Sequence, residues 1–242
     1  MIVNFKITFP LLVWALTFGV SSETILAANV DASLCNFLGK DSYVTTYFPK
    51  HLHYLCEKNG MLSLQSDPLA KQQGLLIEAT ERDNTTDILW GTYRKTAKSM
   101  NAVKEAIRLS CENFKRYRSL AKEGAFSDVE DVIHRSTQSN ICKFTFVGKR
   151  FLFVKPAYDG EMKVAEEGEY FLAASRLTKA ISDVSDQRSL FVAWAKGKEV
   201  EMVSIDWIEA EDYGLSSLTR NTLVEGCQKS TIDGFFHVLE AL

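Results

Sequence analysis

Residues 7–20 form a 14-residue stretch that is almost wholly apolar, and no later run approaches 18 residues. That asymmetry constrains the chain more than any other feature. Fourteen residues are short for a bilayer span, which takes about 20. Lys6 precedes the run, and small and polar residues follow it, ending Leu26-Ala27-Ala28. This order is that of a secretory signal, with cleavage expected after Ala27 or Ala28. An uncleaved anchor is the alternative. Residues 1–28 are therefore read as a signal peptide. Residues 29–242 are read as a soluble body, periplasmic or extracellular, with no stable membrane insertion.

All five cysteines, Cys35, Cys56, Cys111, Cys142 and Cys227, fall in that body. An oxidising compartment then favours up to two disulfides and one remaining thiol. Cys35–Cys56 and Cys111–Cys142 are the expected pairs, because each joins neighbouring elements. Asn84-Thr85-Thr86 also fits a glycosylation sequon. With 46% apolar and 24% charged residues, 13 Gly and 4 Pro, the chain is neither a disordered tail nor a fibre.

Charge divides the body. Residues 29–155 carry a net +5 and residues 156–242 a net −8. The front part reads as helical. Asp67-Pro68 places an N-cap before a proline at the first turn. Pro49 opens another helix that Asn59-Gly60 stops. Apolar groups at Leu89, Tyr93, Ala97 and Met100 predict a helix over 86–100. Val103, Ile107, Phe114, Tyr117 and Ala121 mark a longer one over 101–123. Ser127-Asp128-Val129-Glu130 reads as a capping box opening a helix to about Gln138.

Beyond residue 140 the pattern alternates. Residues 141–148 predict a strand that turns at Gly148-Lys149 and returns through 150–154. Residues 189–195 and 200–207 predict a second hairpin around Lys196-Gly197-Lys198. Between them, Tyr170, Ala174, Leu177, Ile181 and Val184 predict a helix over 166–184, with Glu166, Glu167 and Glu169 complementing the dipole of its first turn. A helix opened by Ser230 closes the chain. The expected fold is α+β: a helical basic part (29–138) packed on a small antiparallel sheet in an acidic part (139–242), two hairpins flanking a helix, all one compact domain.

Lys104, Arg108, Lys115, Arg118 and Lys122 form a basic stripe beside the apolar one on helix 101–123. Glu209, Glu211 and Asp212 form an acidic cluster in a segment, 199–212, without Lys or Arg. Either surface suits a charged partner. His51 and His53 are the close histidine pair, but on a helix i and i+2 diverge, so no metal is expected. G-x-S-x-G, H-E-x-x-H, phosphate-loop, G-x-G-x-x-G and C-x-x-C signatures are absent.

The reading is an exported binding protein without a cofactor, acting on a protein partner as an envelope accessory, an inhibitor or immunity-like protein, or a secreted effector. Nucleic acid is not expected for an acidic exported chain. The alternatives are an exported hydrolase with a carboxylate or Cys–His site, and an anion or polysaccharide binder using the basic helix face.

Overall fold

The computed structural model describes residues 32–82, 85–121, 129–138, 140–148, 157–179, 184–211, 229 and 231–242. The signal segment, Asn84, Lys122, Asp212 and Cys227 lie outside them, as does the expected return strand 150–154.

The first helices start where their capping residues stand. Helix α1 spans residues 32–40. The Asp41 carboxylate accepts hydrogen bonds from the Tyr43 and Val44 amides and opens α2 (Ser42–Tyr47). Pro49 occupies the first turn of α3 (Pro49–Leu52), which runs on into a π-helical turn, His53–Glu57. Asn59, at φ 54°, makes the left-handed break before α4 (Gly60–Ser66). Asp67 caps α5 (Pro68–Gln72) through the Leu69 and Ala70 amides.

The chain then forms two strands, β1 (Leu75–Arg82) and β2 (Thr85–Thr96), where a helix over 86–100 was expected. Four threonines with Ile88, Trp90 and Tyr93 favour the pleated conformation. The 3–4 spacing of apolar groups was coincidental: residues 86–93 are buried on both faces, so no alternation marks them as a strand.

Helix α6 (Met100–Glu112), capped by Ser99, and α7 (Phe114–Leu120) follow, broken at Asn113. Residues 129–138, expected as a helix, are the edge strand β3 (Val129–Gln138). Its charged and polar content, Asp131, His134 and Arg135, suits an edge.

Six strands of the acidic part and its border complete the sheet: β3, β4 (Ile141–Gly148), β5 (Ala157–Glu167), β6 (Tyr170–Lys179), β7 (Val184–Lys196) and β8 (Glu199–Glu211). The helix expected over 166–184 does not form over its described residues, 166–179 and 184. Its place is taken by the β5–β6 hairpin, whose tip holds Glu166, Glu167 and Glu169, with Gly168 at φ 61°. Phe171, Leu172, Ala173 and Ala174 are consecutive buried residues, the mark of a strand covered on both sides. The β7–β8 hairpin turns at Gly197, φ 65°, as the sequence predicted.

The eight strands form one antiparallel sheet in the order β1-β2-β8-β7-β6-β5-β4-β3. The α+β class therefore holds, with a sheet larger than the small one expected. Helices α1–α5 cover its outer face, meeting Leu172, Leu190, Val192, Trp194 and Val203. Helices α6, α7 and α8 (residues 231–241) cover the inner face, meeting Phe171, Ala173, Ala193, Val200 and Met202. Cys35 is bonded to Cys56, tying α1 to the π-helical turn, with Cα atoms 5.7 Å apart. Cys111 is bonded to Cys142, tying α6 to β4, with Cα atoms 6.5 Å apart.

Candidate ligand cavity

Between the inner face and its three helices the side chains do not close. They leave a cavity of about 300 Å³. The strand registers explain its lining. On β6, residues 171, 173 and 175 point inward. Their antiparallel partners on β7 are Ala193, Phe191 and Ser189. Those face Met202, Ser204 and Asp206 on β8, which face Arg94, Thr92 and Trp90 on β2. The sheet thus brings two kinds of row to the cavity. One runs Ala173–Phe191–Ser204–Thr92. The next, Met162–Ser175–Ser189–Asp206, crosses four strands and sets a carboxyl among hydroxyls and apolar groups.

Helices supply the apolar roof. Ile107 and Cys111 come from α6, Phe114 and Tyr117 from α7, and Ile232, Phe235 and Phe236 from α8. Phe191 and Phe235 meet across the gap with ring centroids 5.5 Å apart. Phe144, Phe146 and Val132 close the β3–β4 end.

Asp206 is 6% exposed. Its Oδ1 accepts a hydrogen bond from Ser189 Oγ, and its Oδ2 accepts one from Ser204 Oγ at 3.2 Å. Burial pushes its carboxyl up to about 6, against the pull of those two hydroxyls. Arg94 is the other charged lining residue among those described. Its guanidinium donates to the carbonyls of Ala70, at 2.9 Å, and Gln72, on α5 and at its C-terminal end. Tyr117 is 3% exposed, and burial holds its phenol well above the usual value, so it stays protonated.

The charged residues singled out in the sequence lie elsewhere. Lys104 and Arg108 share a groove of about 380 Å³ outside the Cys111–Cys142 bond, together with Glu112, Asn140 and Glu166. Cys111 and Met162 line both spaces. Lys104 is ion-paired with Glu166, and Arg108 lies 3.8 Å from Glu105. Lys115 and Arg118 belong to α7, beyond the break, so the stripe is not continuous. Lys115 is exposed and Arg118 half-buried. Glu209 is half-buried on β8 opposite Asp87, and Glu211 stands opposite Thr85 at the strand's end.

The two histidines diverge as expected. His51 is 1% exposed with Nε2 3.1 Å from the Arg188 carbonyl, while His53 is exposed and 2.7 Å from Glu57. Among the described residues no group of three His, Cys, Asp or Glu side chains is placed to hold a metal.

Ile107, Phe114 and Tyr117 stand out in the sequence only as a helical stripe, and the polar floor residues do not stand out, although a signal is present. Ser189, Ser204 and Asp206 are polar residues at inward positions shared with Phe191, Ala193, Val200 and Met202.

No protein-family model matches the chain, and no curated protein matches it in sequence. A solved structure does share its fold. A STAR-related lipid transfer protein fragment from Xanthomonas axonopodis superposes with a TM-score of 0.50 at 7% identity, covering 70% of this chain and 99% of that one. A protein of Thermus thermophilus gives a TM-score of 0.47 at 15% identity, over 62% and 97% of the two chains. The Zhui aromatase/cyclase from a Streptomyces species gives 0.47 at 10% identity, over 64% and 93%.

Proposed function

We propose that this protein is an exported binder of apolar small molecules, which it holds in the cavity between the inner sheet face and α6–α8. The observation that carries this is the cavity itself: about 300 Å³, roofed by Ile107, Phe114, Phe235 and Phe236, with Ser175, Ser189, Asp206, Ser204 and Thr92 on two adjacent cross-strand rows of its floor. Apolar walls with a few placed polar groups are the usual make-up of small-molecule sites. The fold shared with a lipid transfer protein agrees with this reading but does not identify a ligand.

Two disulfides support an oxidising compartment and hence the export reading. Among the described residues no helix is long and apolar enough to cross a membrane. Docking on a protein partner through the segregated charges takes second place. Much of that charge is matched inside the molecule: Lys40 with Glu167 at 2.9 Å, Lys95 with Glu201 at 2.9 Å, and Lys104 with Glu166.

The test is to purify the protein from its own compartment, extract it with organic solvent and weigh what is released by mass spectrometry. An apolar compound in near-stoichiometric amount is the expected result. A ligand-free extract, together with failure to take up any apolar probe, would overturn the reading.

A further inference from the structure

The cavity's polar row has an unbalanced feature. Asp206 sits on β8 with both carboxyl oxygens bonded to neutral hydroxyls, those of Ser189 and Ser204. No cation stands beside it among the described residues. Hydroxyls satisfy some of the carboxylate's acceptor capacity, about four lone-pair sites, and leave its charge uncompensated. A buried charge of that kind is costly unless it is paired.

The residues around Asp206 come from β2, β7, α7 and α8. From β7 comes Ser189, and from β2 come Trp90, Thr92 and Arg94. Arg94 turns its guanidinium to backbone carbonyls of Ala70 and Gln72. From α7 comes Tyr117, buried and protonated. From α8 comes Thr231, and Asp233 on the same helix pairs with Lys229. None of these supplies the missing positive charge.

We propose that Asp206 receives a protonated amine carried by the cavity's apolar ligand, so that the ligand class is a cationic amphiphile rather than a fatty acid or a neutral lipid. This rests on the cavity reading above. The ammonium takes the carboxylate's open acceptor sites, while the hydrocarbon part lies against Phe191, Phe235 and Ile107. An anionic head group at the same place meets repulsion. A neutral alcohol gains a hydrogen bond but leaves the charge unpaired.

The experiment displaces the uncharged fluorescent probe N-phenyl-1-naphthylamine with decylamine, decan-1-ol and decanoic acid. At pH 8 decylamine is expected to bind about tenfold or more tighter than decan-1-ol, the scale of a buried ion pair against its absence, and decanoic acid to bind weakest. The amine's advantage should shrink as the pH falls below 6, a measurement that needs no variant. Asp206→Asn should abolish the advantage at pH 8. Equal binding of amine and alcohol at pH 8, with probe uptake intact, overturns this inference alone. Absence of all binding, probe included, overturns the cavity reading with it.

Discussion

His51 and Asp206 are buried titratable side chains on opposite faces of the sheet, and burial acts on them in opposite directions. It lowers His51 to about 4 from 6.5, so the ring is neutral in the folded protein at pH 7. The unfolded chain takes up that proton first. The stability His51 contributes is present above pH 6.5 and is lost as the pH falls through about 4, on the order of 3 kcal/mol. Asp206 is raised to about 6 from 3.8. Its contribution is fully present below 3.8 and is lost as the pH rises through about 6, again on the order of 3 kcal/mol. Between pH 4 and 6 the two slopes oppose each other. Relative to wild type, Asp206→Asn should therefore be more stable at pH 7 than at pH 4.5, and His51→Gln should show the reverse. Urea unfolding at the two pH values measures both. Stability differences independent of pH would contradict these assignments.

At the scale of elements, each disulfide holds one helical layer. Cys35–Cys56 closes a separation of 21 residues within the outer helices, and Cys111–Cys142 closes one of 31 residues between α6 and β4. Loop-closure entropy values them at about 3 and 4 kcal/mol. They should differ in consequence. Replacing Cys35 and Cys56 by serine should lower stability without altering probe binding. Replacing Cys111 and Cys142 should weaken probe binding too, because that bond lies in the cavity wall. Equal probe affinity in the two double variants would argue against the wall assignment.

The elements also divide by how well the sequence announced them. Asp67-Pro68, Pro49 and the Gly197 turn were legible because each depends on local chemistry: a cap, a ring-fixed φ, a positive φ. The strands β2 and β6 were not. Helices cover them on both faces, which erases the alternation that marks a strand, and Leu89, Tyr93, Ala174 and Leu177 then mimic a helical stripe. β3 failed for the opposite reason, since an edge strand mixing Asp131, Val132 and Arg135 resembles an amphipathic helix. Of the site, Asp206 and Ser204 lay within a correctly placed hairpin. Which partners they face depends on register across β2, β7 and β8, which local pattern does not carry.

Over the whole molecule the sheet separates two bodies of side chains. The outer face is closely filled, with Phe48, Leu64, Leu190, Val192 and Ile205 fully buried and Trp194 nearly so. The inner face is left with space. Ion pairs between the two halves of the chain join helices to the sheet. Lys40 reaches the β5–β6 tip from α1, and Lys104 reaches it from α6. Lys163 of β5 lies 2.7 Å from Asp41 at the start of α2. A charge layout that suggested docking on another protein therefore has work within this one.

The central claim is that the inner space is a binding site, and titration with N-phenyl-1-naphthylamine in the wild type and Ala173→Phe tests it most directly. Ala173 lines the cavity opposite Phe191 and is 4% exposed. A phenyl group there occupies the space a ligand would take. Wild type should bind the probe with a saturable rise in fluorescence. The variant should bind about tenfold or more weakly with a melting temperature at or near that of wild type, because the added ring enters a void instead of a filled core. Undiminished probe binding by a folded Ala173→Phe protein would contradict the account.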